Sequence, residues 1–437
     1  MSNDTQASRR TVAAERQPLL SVIIPALHEH ENLALLLPEL HRLLEGLEVP
    51  SEVVVVTSRD DGKTQDAAVA HGARVLLQEQ PGYGSALKTG FAESRGAFIV
   101  TMDADTSHAP VFIHDLWSCR DRAEVVIASR YVEGGHAQSG LWRRVLSRIL
   151  NAFFQRGLSL PVRDLSSGFR LYRADLVRGQ PFTGADFDIL PEILVRLYAA
   201  GWRVGEVPFS YAPRRRGRSN ARVLPFGIAY LRTFTRLWRL RNSILSADYD
   251  DRAHDSVIPL QRYWQRSRYR HVTELIAGEG RVLDVGCGSS RIVSALPRGS
   301  VALDLSASKL RYSRRFGHPL VRASGCSLPF SNAAFPCVLS SQVIEHLPRE
   351  CPILDEMCRV LAPGGRLVLG TPDYDRWEWV WIERAYARAA PGAYADEHIT
   401  HYTRRELVQT LEARGLRLEA VRYILRAELI LAFRKPL

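Results

Sequence analysis

Two aspartates one residue apart, in the run Thr101-Met-Asp-Ala-Asp105-Thr-Ser-His108, follow the apolar stretch Ala97–Met102. Carboxylates so spaced, at the carboxyl end of a strand, can reach one divalent cation, and open α/β sheets bind ligands at that edge. Magnesium prefers a few carboxylate oxygens plus phosphate oxygens, so the pair suits a metal–diphosphate. Alone, the same pair also fits a solvated turn. A second constellation is Asp284-Val-Gly-Cys-Gly288, where glycines at a strand–helix turn let backbone approach a ligand. Asp304 ends the next apolar run and is placed to accept from two ribose hydroxyls; a dinucleotide dehydrogenase shows a similar spacing. The third group is histidines: Glu345-His346, and His398 and His401 within Asp396–Tyr402. An alcohol needs a base to lose its proton, and histidine is the usual agent, so His346 is the catalytic candidate, against a structural or cofactor-adjacent role. Cys287 reads as packing rather than as a nucleophile.

The elements that must carry these groups are apolar runs alternating with amphipathic ones. Strands are expected at Ser21–Pro25, Glu52–Val56, Arg74–Leu77, Ala97–Met102 and Val125–Ser129, with helices such as Asn32–Leu47 and Ser85–Ser94 between them. Near-continuous apolar strands separated by helices indicate a mostly parallel sheet covered on both faces. The alternation breaks down after Trp202–Pro208 and restarts with Arg281–Val285, Val301–Asp304, Val338–Ser341 and Arg366–Gly370. Leu416–Tyr423 and Leu429–Phe433 read as an antiparallel pair. The expectation is two separate α/β domains: a flexible tail (1–18), a first domain (19–241), a connector (242–270) and a second domain (271–437). A length of 437 residues accommodates this.

With 46% hydrophobic and 24% charged residues the chain is of ordinary globular composition, which argues against disorder and fibrous structure. The apolar stretch Val223–Leu231 is far short of the ~20 residues that span a bilayer. The first twenty residues have no apolar core of the secretory kind. Cys119, Cys287, Cys326, Cys337, Cys351 and Cys358 form no Cys-x-x-Cys pair, so reduced thiols in a cytoplasmic protein are expected.

The segments Ser21–Glu29, Pro81–Gly90, Asp103–His108, Ala128-Ser-Arg-Tyr131, Asp164–Arg170 and Glu206-Val-Pro208, taken in order, resemble the inverting GT-A glycosyltransferases of the dolichyl-phosphate mannosyltransferase type. The resemblance implies a GT-A nucleotide-diphospho-sugar transferase fold, a nucleotide-diphosphate sugar as donor and a polyprenyl phosphate as acceptor. It places Pro25, Glu29, Thr57, Lys88, Asp103, Ala104, Asp105 and Arg214 at the donor. It gives Asp103, Asp105 and Ser107 to a Mg²⁺ or Mn²⁺ ion, and Arg130 and Arg170 to the acceptor phosphate, with Asp105, Arg130 and Arg170 as the catalytic set. There are departures: Thr57 and Ser58 stand where the family has acids that contact the base, His28 replaces an asparagine, and Asn220 replaces a lysine.

Asp284–Gly288, Leu328-Pro-Phe330, Val343–Leu347 and Leu361–Leu369 resemble a class I S-adenosylmethionine-dependent methyltransferase of Rossmann-like fold. That implies S-adenosylmethionine as cofactor, Asp284, Gly286 and Gly288 at its methionine end, Asp304 at the ribose and Leu328 near the adenine. Ser324 stands where the family has an acid for the adenine amino group.

The net charge of +11 is concentrated: Val207–Ala247 holds nine arginines and no acid. After Pro225 a helix is expected in which Phe226, Tyr230, Phe234 and Trp238 recur every four residues. With Leu231 and Leu237 they span roughly a 140° arc, while Arg232, Arg236 and Arg239 share another face. A basic face beside an aromatic one suits a helix (225–241) lying on anionic lipid, against the plainer reading of aromatics packed on a sheet and arginines in solvent. Nucleic acid, which arginines and aromatics also suit, is disfavoured because the glycosyltransferase motifs already supply an anionic partner. The functional expectation is a bifunctional enzyme at the membrane surface that transfers a sugar and methylates an acceptor hydroxyl. The alternatives are a methyltransferase docked by an inactive glycosyltransferase-like domain and an arginine-armed nucleic-acid methyltransferase.

Overall fold

The computed structural model describes residues 17–137, 141–211, 223–389 and 398–437. Most of the expected tail, Arg214 with its Arg-x-x-Gly-x-Ser motif, Asn220, and Asp396 lie outside the described residues. The chain divides into two compact units. One comprises Leu160–Ile193, Val204–Leu231 and the chain up to Arg156; the other comprises Gly157–Ser159, Leu194–Arg203 and Arg232–Leu437.

The first unit is built on strands β1 (Leu20–Pro25), β2 (Ser51–Thr57), β3 (Arg74–Leu77), β4 (Phe98–Thr101), β5 (Val125–Ser129), the short β6 (His136–Ala137), β7 (Arg170–Arg173), β8 (Val204–Pro208) and the short β9 (Ser210–Tyr211). The main sheet runs β3-β2-β1-β4-β7-β5-β8, and β6 pairs with β9. The central strand β1 pairs in parallel with both β2 and β4: Ile23 faces Val54 on one side and Thr101 on the other. Val22, Ile23 and Ile24 are fully buried, as a two-sided parallel strand requires. The helix His30–Gly46 buries Leu33, Leu36, Leu37, Leu40 and Leu44, a stripe at spacings of three and four that faces the sheet. β7 alone runs antiparallel, between β4 and β5. Its sequence, Arg-Leu-Tyr-Arg, has two charged ends and no long apolar run, which is why the alternation pattern does not reveal it.

The second unit holds β10 (Val282–Val285), β11 (Val301–Asp304), β12 (Leu320–Arg322), β13 (Phe335–Ser341), β14 (Leu361–Pro372), β15 (Arg417–Ile424) and β16 (Glu428–Arg434), in the order β12-β11-β10-β13-β14-β16-β15. β10 to β14 are parallel and β16 is antiparallel to both its neighbours, so the terminal hairpin expected from sequence is present. The stretch expected as a connector is largely helical. It forms helices Tyr249–His254 and Pro259–Ile276, the second starting on a proline whose fixed φ suits the first helical turn. Asp251 accepts from Arg291 Nε (2.7 Å) and Tyr312 Oη (2.6 Å), which ties this segment to the second sheet's helices.

The cysteines require a correction. Cys326 and Cys351 form a disulfide, with Cα atoms 5.4 Å apart, while Cys119, Cys287, Cys337 and Cys358 are free. Twenty-five residues separate the pair, and only the fold brings the loop after β12 against the turn before the helix Ile353–Val360.

The helix Val223–Arg241 is present, with Arg232, Arg236 and Arg239 exposed and Leu237 buried. Leu231 and Trp238, seven residues apart and so on one face, are also exposed. Arg241 departs from the expected anion-facing strip. It is fully buried, and its guanidinium donates to Asp248 Oδ1 (2.5 Å) and Oδ2 (2.7 Å), Ser246 Oγ, and the carbonyls of Leu158 and Ser159.

Candidate active sites

In the first unit, the carboxyl ends of adjacent strands β2, β1 and β4 bring three loops to one edge, those at Thr57–Asp61, Pro25–Glu29 and Asp103–Ser107. His28 N donates to Asp61 Oδ2 (2.6 Å) and Glu29 N to Thr64 Oγ1 (3.2 Å), so the first two loops are tied together. Asp61 is buried and its carboxyl lies below the usual range: burial opposes this, and the bonds from His28 and Thr64 outweigh burial. Thr57 is buried, with its hydroxyl 3.4 Å from Asp61 Oδ2.

Asp103 and Asp105 are held differently. Asp105 is almost wholly buried and accepts at Oδ1 from both the amide (3.0 Å) and the hydroxyl (2.5 Å) of Ser107. The Ser107 hydroxyl thus orients that carboxylate, and the metal contact that the resemblance implies for it would use the oxygen's lone pairs. Asp103 is about a third exposed; its amide donates to His108 Nδ1 (2.9 Å), and its Oδ2 lies 3.6 Å from His108 Nε2. His108 is fixed by stacking on Phe169, at 4.9 Å between ring centroids and 12°. Two carboxylates facing one loop make a hard-oxygen donor set, which fits Mg²⁺ or Mn²⁺ with phosphate oxygens. His28 (φ 59°) and Thr106 (φ 63°) adopt left-handed backbone, which is costly above all for a β-branched residue. Such strain concentrates at functional loops.

Other motif segments converge on Asp103. Tyr83 Oη reaches Asp103 Oδ1 (3.5 Å), its ring stacks on Phe187 (4.4 Å), and a Cβ on Gly168 would sit 2.5 Å from that same Oη. Ala104 is buried in the core; Lys88 is half-buried on the helix Tyr83–Glu93.

Arg130 and Asp164, from two further motifs, form a bidentate ion pair (Nε–Oδ2 2.7 Å, Nη2–Oδ1 2.8 Å) with Asp164 fully buried. Burial alone would raise the Asp164 carboxyl; the bonds from Arg130 outweigh it and hold it low. Glu206, in the last motif, accepts from the amides of Arg163 (2.9 Å) and Asp164 (3.0 Å) and positions the pair. Arg130 lines a cleft of about 410 Å³ together with Arg148, Arg163, Asn151 and Gln155. Arg170, expected at the acceptor phosphate, is elsewhere. It is fully buried and donates to the carbonyls of Leu165 (2.6 Å) and Leu190 (2.8 Å), which makes it a brace inside the sheet rather than a lining residue.

In the second unit, the turn after β10 is shaped by Gly286 (φ 75°) and Gly288 (φ 55°). Gly288 N donates to Asp304 Oδ2 (2.8 Å), and Ser306 N to Asp304 Oδ1 (2.7 Å). The two glycines and Asp304 are thus brought together as expected. Asp284 is buried, and burial followed by the nearby Asp304 charge pushes its carboxyl up to about 7. Asp250, from the former connector, contacts Ser289 Oγ (3.2 Å) and Lys309 Nζ (3.1 Å) against the same turn; sequence spacing offered no signal for it. Leu328 is buried beside the disulfide loop, its amide donating to Glu356 Oε2 (2.6 Å). A Cβ on Gly286 would lie 2.3 Å from Val343 Cγ2. Gly286→Ala is therefore expected to destabilise this unit by about 1–3 kcal/mol through overpacking. Thermal unfolding of the variant checks this, and an unchanged midpoint contradicts it.

Past β13, Gln342 (φ 61°) leads into Ile344–His346. Glu345 is fully buried, and burial pushes its carboxyl up to about 8. The rings of His346 and His398 lie 5.0 Å apart, and His401 stacks on Tyr374 at 4.0 Å. The sequence named all three histidines without showing that they cluster.

Acidic loops at a sheet edge in one unit and a glycine turn beside Asp304 in the other mark one candidate site in each unit. Residues 21–179 match the model of glycosyl transferase family 2, and residues 283–369 match that of a methyltransferase domain. Dolichol-phosphate mannosyltransferase of Pyrococcus furiosus is 32% identical over 236 residues, 52% of this chain and 65% of that protein. Polyprenol monophosphomannose synthase of Mycolicibacterium smegmatis is 32% identical over 244 residues, 51% of this chain and 90% of that protein. A Thermotoga maritima structure described as a possible histamine N-methyltransferase aligns with 40% of this chain and 91% of its own, at 18% identity and a TM-score of 0.35. The chain belongs to glycosyl transferase family 2, among relatives of the dolichol-phosphate mannosyltransferase type, and continues into a methyltransferase domain. It is an enzyme of GT-A and Rossmann-like α/β domains.

Proposed function

We propose that the first domain moves a sugar from a nucleotide-diphosphate donor to a polyprenyl phosphate with inversion. The second then moves a methyl group from S-adenosylmethionine to an acceptor hydroxyl, on a glycan or glycolipid. The observation that carries the first half is the edge at which the carboxyl ends of β1, β2 and β4 present Glu29, Thr57, Asp103 and Asp105. Asp103 and Asp105 would hold Mg²⁺ or Mn²⁺ there, and the ion when bound supplies positive charge to the departing diphosphate. Arg130, with Arg148 and Arg163 in the same cleft, offers guanidinium charge to the acceptor phosphate. A phosphate monoester has its second pKa near ~6, so it is largely ionised at neutral pH and needs no general base. The names of both curated relatives support a lipid-linked product.

Peripheral attachment to the cytoplasmic face of a membrane follows from the same reading. No helix among the described residues is long and apolar enough to cross a membrane. The helix Leu141–Gly157, which supplies Arg148 and Gln155 to the cleft, exposes Val145, Ile149 and Phe153 at every fourth position. The helix Val223–Arg241 exposes Leu231 and Trp238 beside its arginines. Both are suited to the interfacial region of anionic lipid. In the second domain, His346 and His398, with rings 5.0 Å apart, are the candidates for the step in which an acceptor hydroxyl loses its proton.

The full-length chain, incubated with a nucleotide-sugar panel, Mn²⁺, S-adenosylmethionine and vesicles bearing polyprenyl phosphate, is expected to yield a lipid heavier by one hexose-class sugar, and methylated product where the acceptor is present. Mass spectrometry of the lipid extract reads both. Asp304→Ala is expected to weaken S-adenosylmethionine about 10- to 100-fold, the worth of two buried hydrogen bonds, and to leave sugar transfer intact. Equal cofactor affinity by calorimetry in the variant removes the ribose assignment.

A further inference from the structure

Among the described residues, the second domain holds a cluster of side chains that could ligate a metal ion. Glu345 is fully buried; its Oε2 accepts from Thr371 Oγ1 (3.2 Å), whereas its Oε1 has no hydrogen-bond partner among the described residues. A buried carboxylate oxygen left in that state is costly, and either a proton or a cation removes the cost; the two imidazoles beside it favour a cation. One ligand atom each from Glu345, His346 and His398 lies within 4.8 Å of the other two. Backbone fixes this meeting. The carbonyl of Glu345 accepts from the amides of Ile399 (2.8 Å) and Thr400 (3.0 Å), and Thr400 Oγ1 donates to the carbonyl of Leu347 (2.6 Å). The chain around His398 is therefore latched onto the turn that carries Glu345 and His346.

His398 is also oriented as a ligand. Its Nδ1 lies 2.7 Å from Tyr374 Oη and 3.0 Å from Glu383 Oε1. A carboxylate on one imidazole nitrogen is the usual outer support of a metal-bound histidine, and it assigns Nε2 to the ion. Tyr374 is itself braced, with His401 stacked on its ring.

We propose that Glu345, His346 and His398 form a two-histidine, one-carboxylate site for a divalent first-row transition ion, and that its open position takes the oxygen of the methyl acceptor. The donor set selects the ion class. Imidazole suits zinc and its neighbours rather than magnesium, and three protein ligands leave zinc a position for a reacting oxygen. Methyl transfer moves no net electrons, so redox-silent zinc suffices. An acceptor hydroxyl bound there loses its proton to water near neutral pH. Its oxygen then forms the new O–C bond as the S–C bond of S-adenosylmethionine breaks, and the sulfur keeps the electron pair in the departing S-adenosylhomocysteine. This assignment deepens the methyltransferase reading and rests on it.

The full-length chain, stripped with chelator and held in excess Mg²⁺ to occupy oxygen-only sites, is titrated with Co²⁺ as the probe. The expected result is one equivalent bound, with visible absorption of four- or five-coordinate cobalt that the aqua ion lacks. His398→Ala is expected to abolish the bands. Glu383→Gln, which keeps all three ligands, is expected to retain them while weakening cobalt about 10- to 100-fold. Absence of the bands in the unaltered chain, or bands and affinity unchanged in both variants, overturns the site. Titration of the same samples with S-adenosylmethionine tests the methyltransferase reading by itself. Cofactor binding without cobalt bands overturns the metal site alone; cobalt bands without cofactor binding retain the site and overturn that reading.

Discussion

Asp105→Asn is expected to lower sugar transfer about 100- to 1,000-fold, the usual scale for losing a group that stabilises developing charge. The substitution is close to isosteric, and the amide oxygen can still accept from the amide and hydroxyl of Ser107, so the loop should keep its shape. What disappears is one negative charge on an almost wholly buried side chain, beside Asp103 and at the end of β4. The loss should fall on kcat, because positive charge at the leaving diphosphate matters most as that group departs. Initial rates of donor consumption at saturating Mn²⁺ give the measurement, with S-adenosylmethionine affinity as a control for folding. Undiminished metal-dependent turnover would show that the aspartates do not grip the diphosphate. A rate that is nil in both proteins would instead favour a docking module that has kept the fold and lost the chemistry.

Arg241→Ala should have the largest effect on stability, lowering the unfolding free energy of the second unit by about 3–5 kcal/mol. Removing the guanidinium strips a partner from Asp248, Ser246 and the carbonyls of Leu158 and Ser159 at once, and leaves a buried carboxylate with only Ser246 and the charge of Arg252 to hold it. Burial would raise the Asp248 carboxyl, but Arg241 outweighs it and holds the group below its ordinary value of 3.8. A depressed carboxyl contributes stability that is complete above its unfolded pKa and is lost as pH falls through the lower, folded one. The variant should therefore lose stability at neutral pH and also lose most of this acid-side dependence. Urea unfolding at neutral and at acidic pH measures both. In the Arg241→Ala, Asp248→Ala double variant part of the stability should return, since an unpaired buried charge costs more than its absence. Equal stability of the single variant and the parent would mean that the pair is solvated after all.

Much of this architecture is legible in the sequence because two-sided burial leaves a plain mark: runs such as Val53–Val56 and Leu429–Phe433 have no other economical explanation. The aspartates, the glycine turn and Asp304 are legible for a related reason, since each sits at the end of such a run. The remainder depends on pairs that are distant along the chain. That Arg170 lies inside the sheet while Arg130 lines a cleft is invisible when both are simply arginines in motifs; β7 turns one inward, and Asp164 holds the other. The Cys326–Cys351 bond and the approach of Asp250 to the glycine turn are likewise tertiary facts. The helices of the stretch 242–270 are hard to read for a different cause: its charges pair with residues far along the chain, such as Asp251 with Arg291.

The reversed direction of β7 has a practical corollary. Since this strand begins where its neighbours β4 and β5 finish, the chain entering it, from Asp164 to Phe169, borders the chemistry, and the chain leaving it after Arg173 emerges at the opposite margin of the sheet. A reporter peptide or purification handle grafted at the exposed turn of Gly179 and Gln180, past the buried Ala174, Leu176 and Val177, would thus sit remote from the proposed donor and acceptor sites, whereas a graft between Asp164 and Phe169 would land beside them.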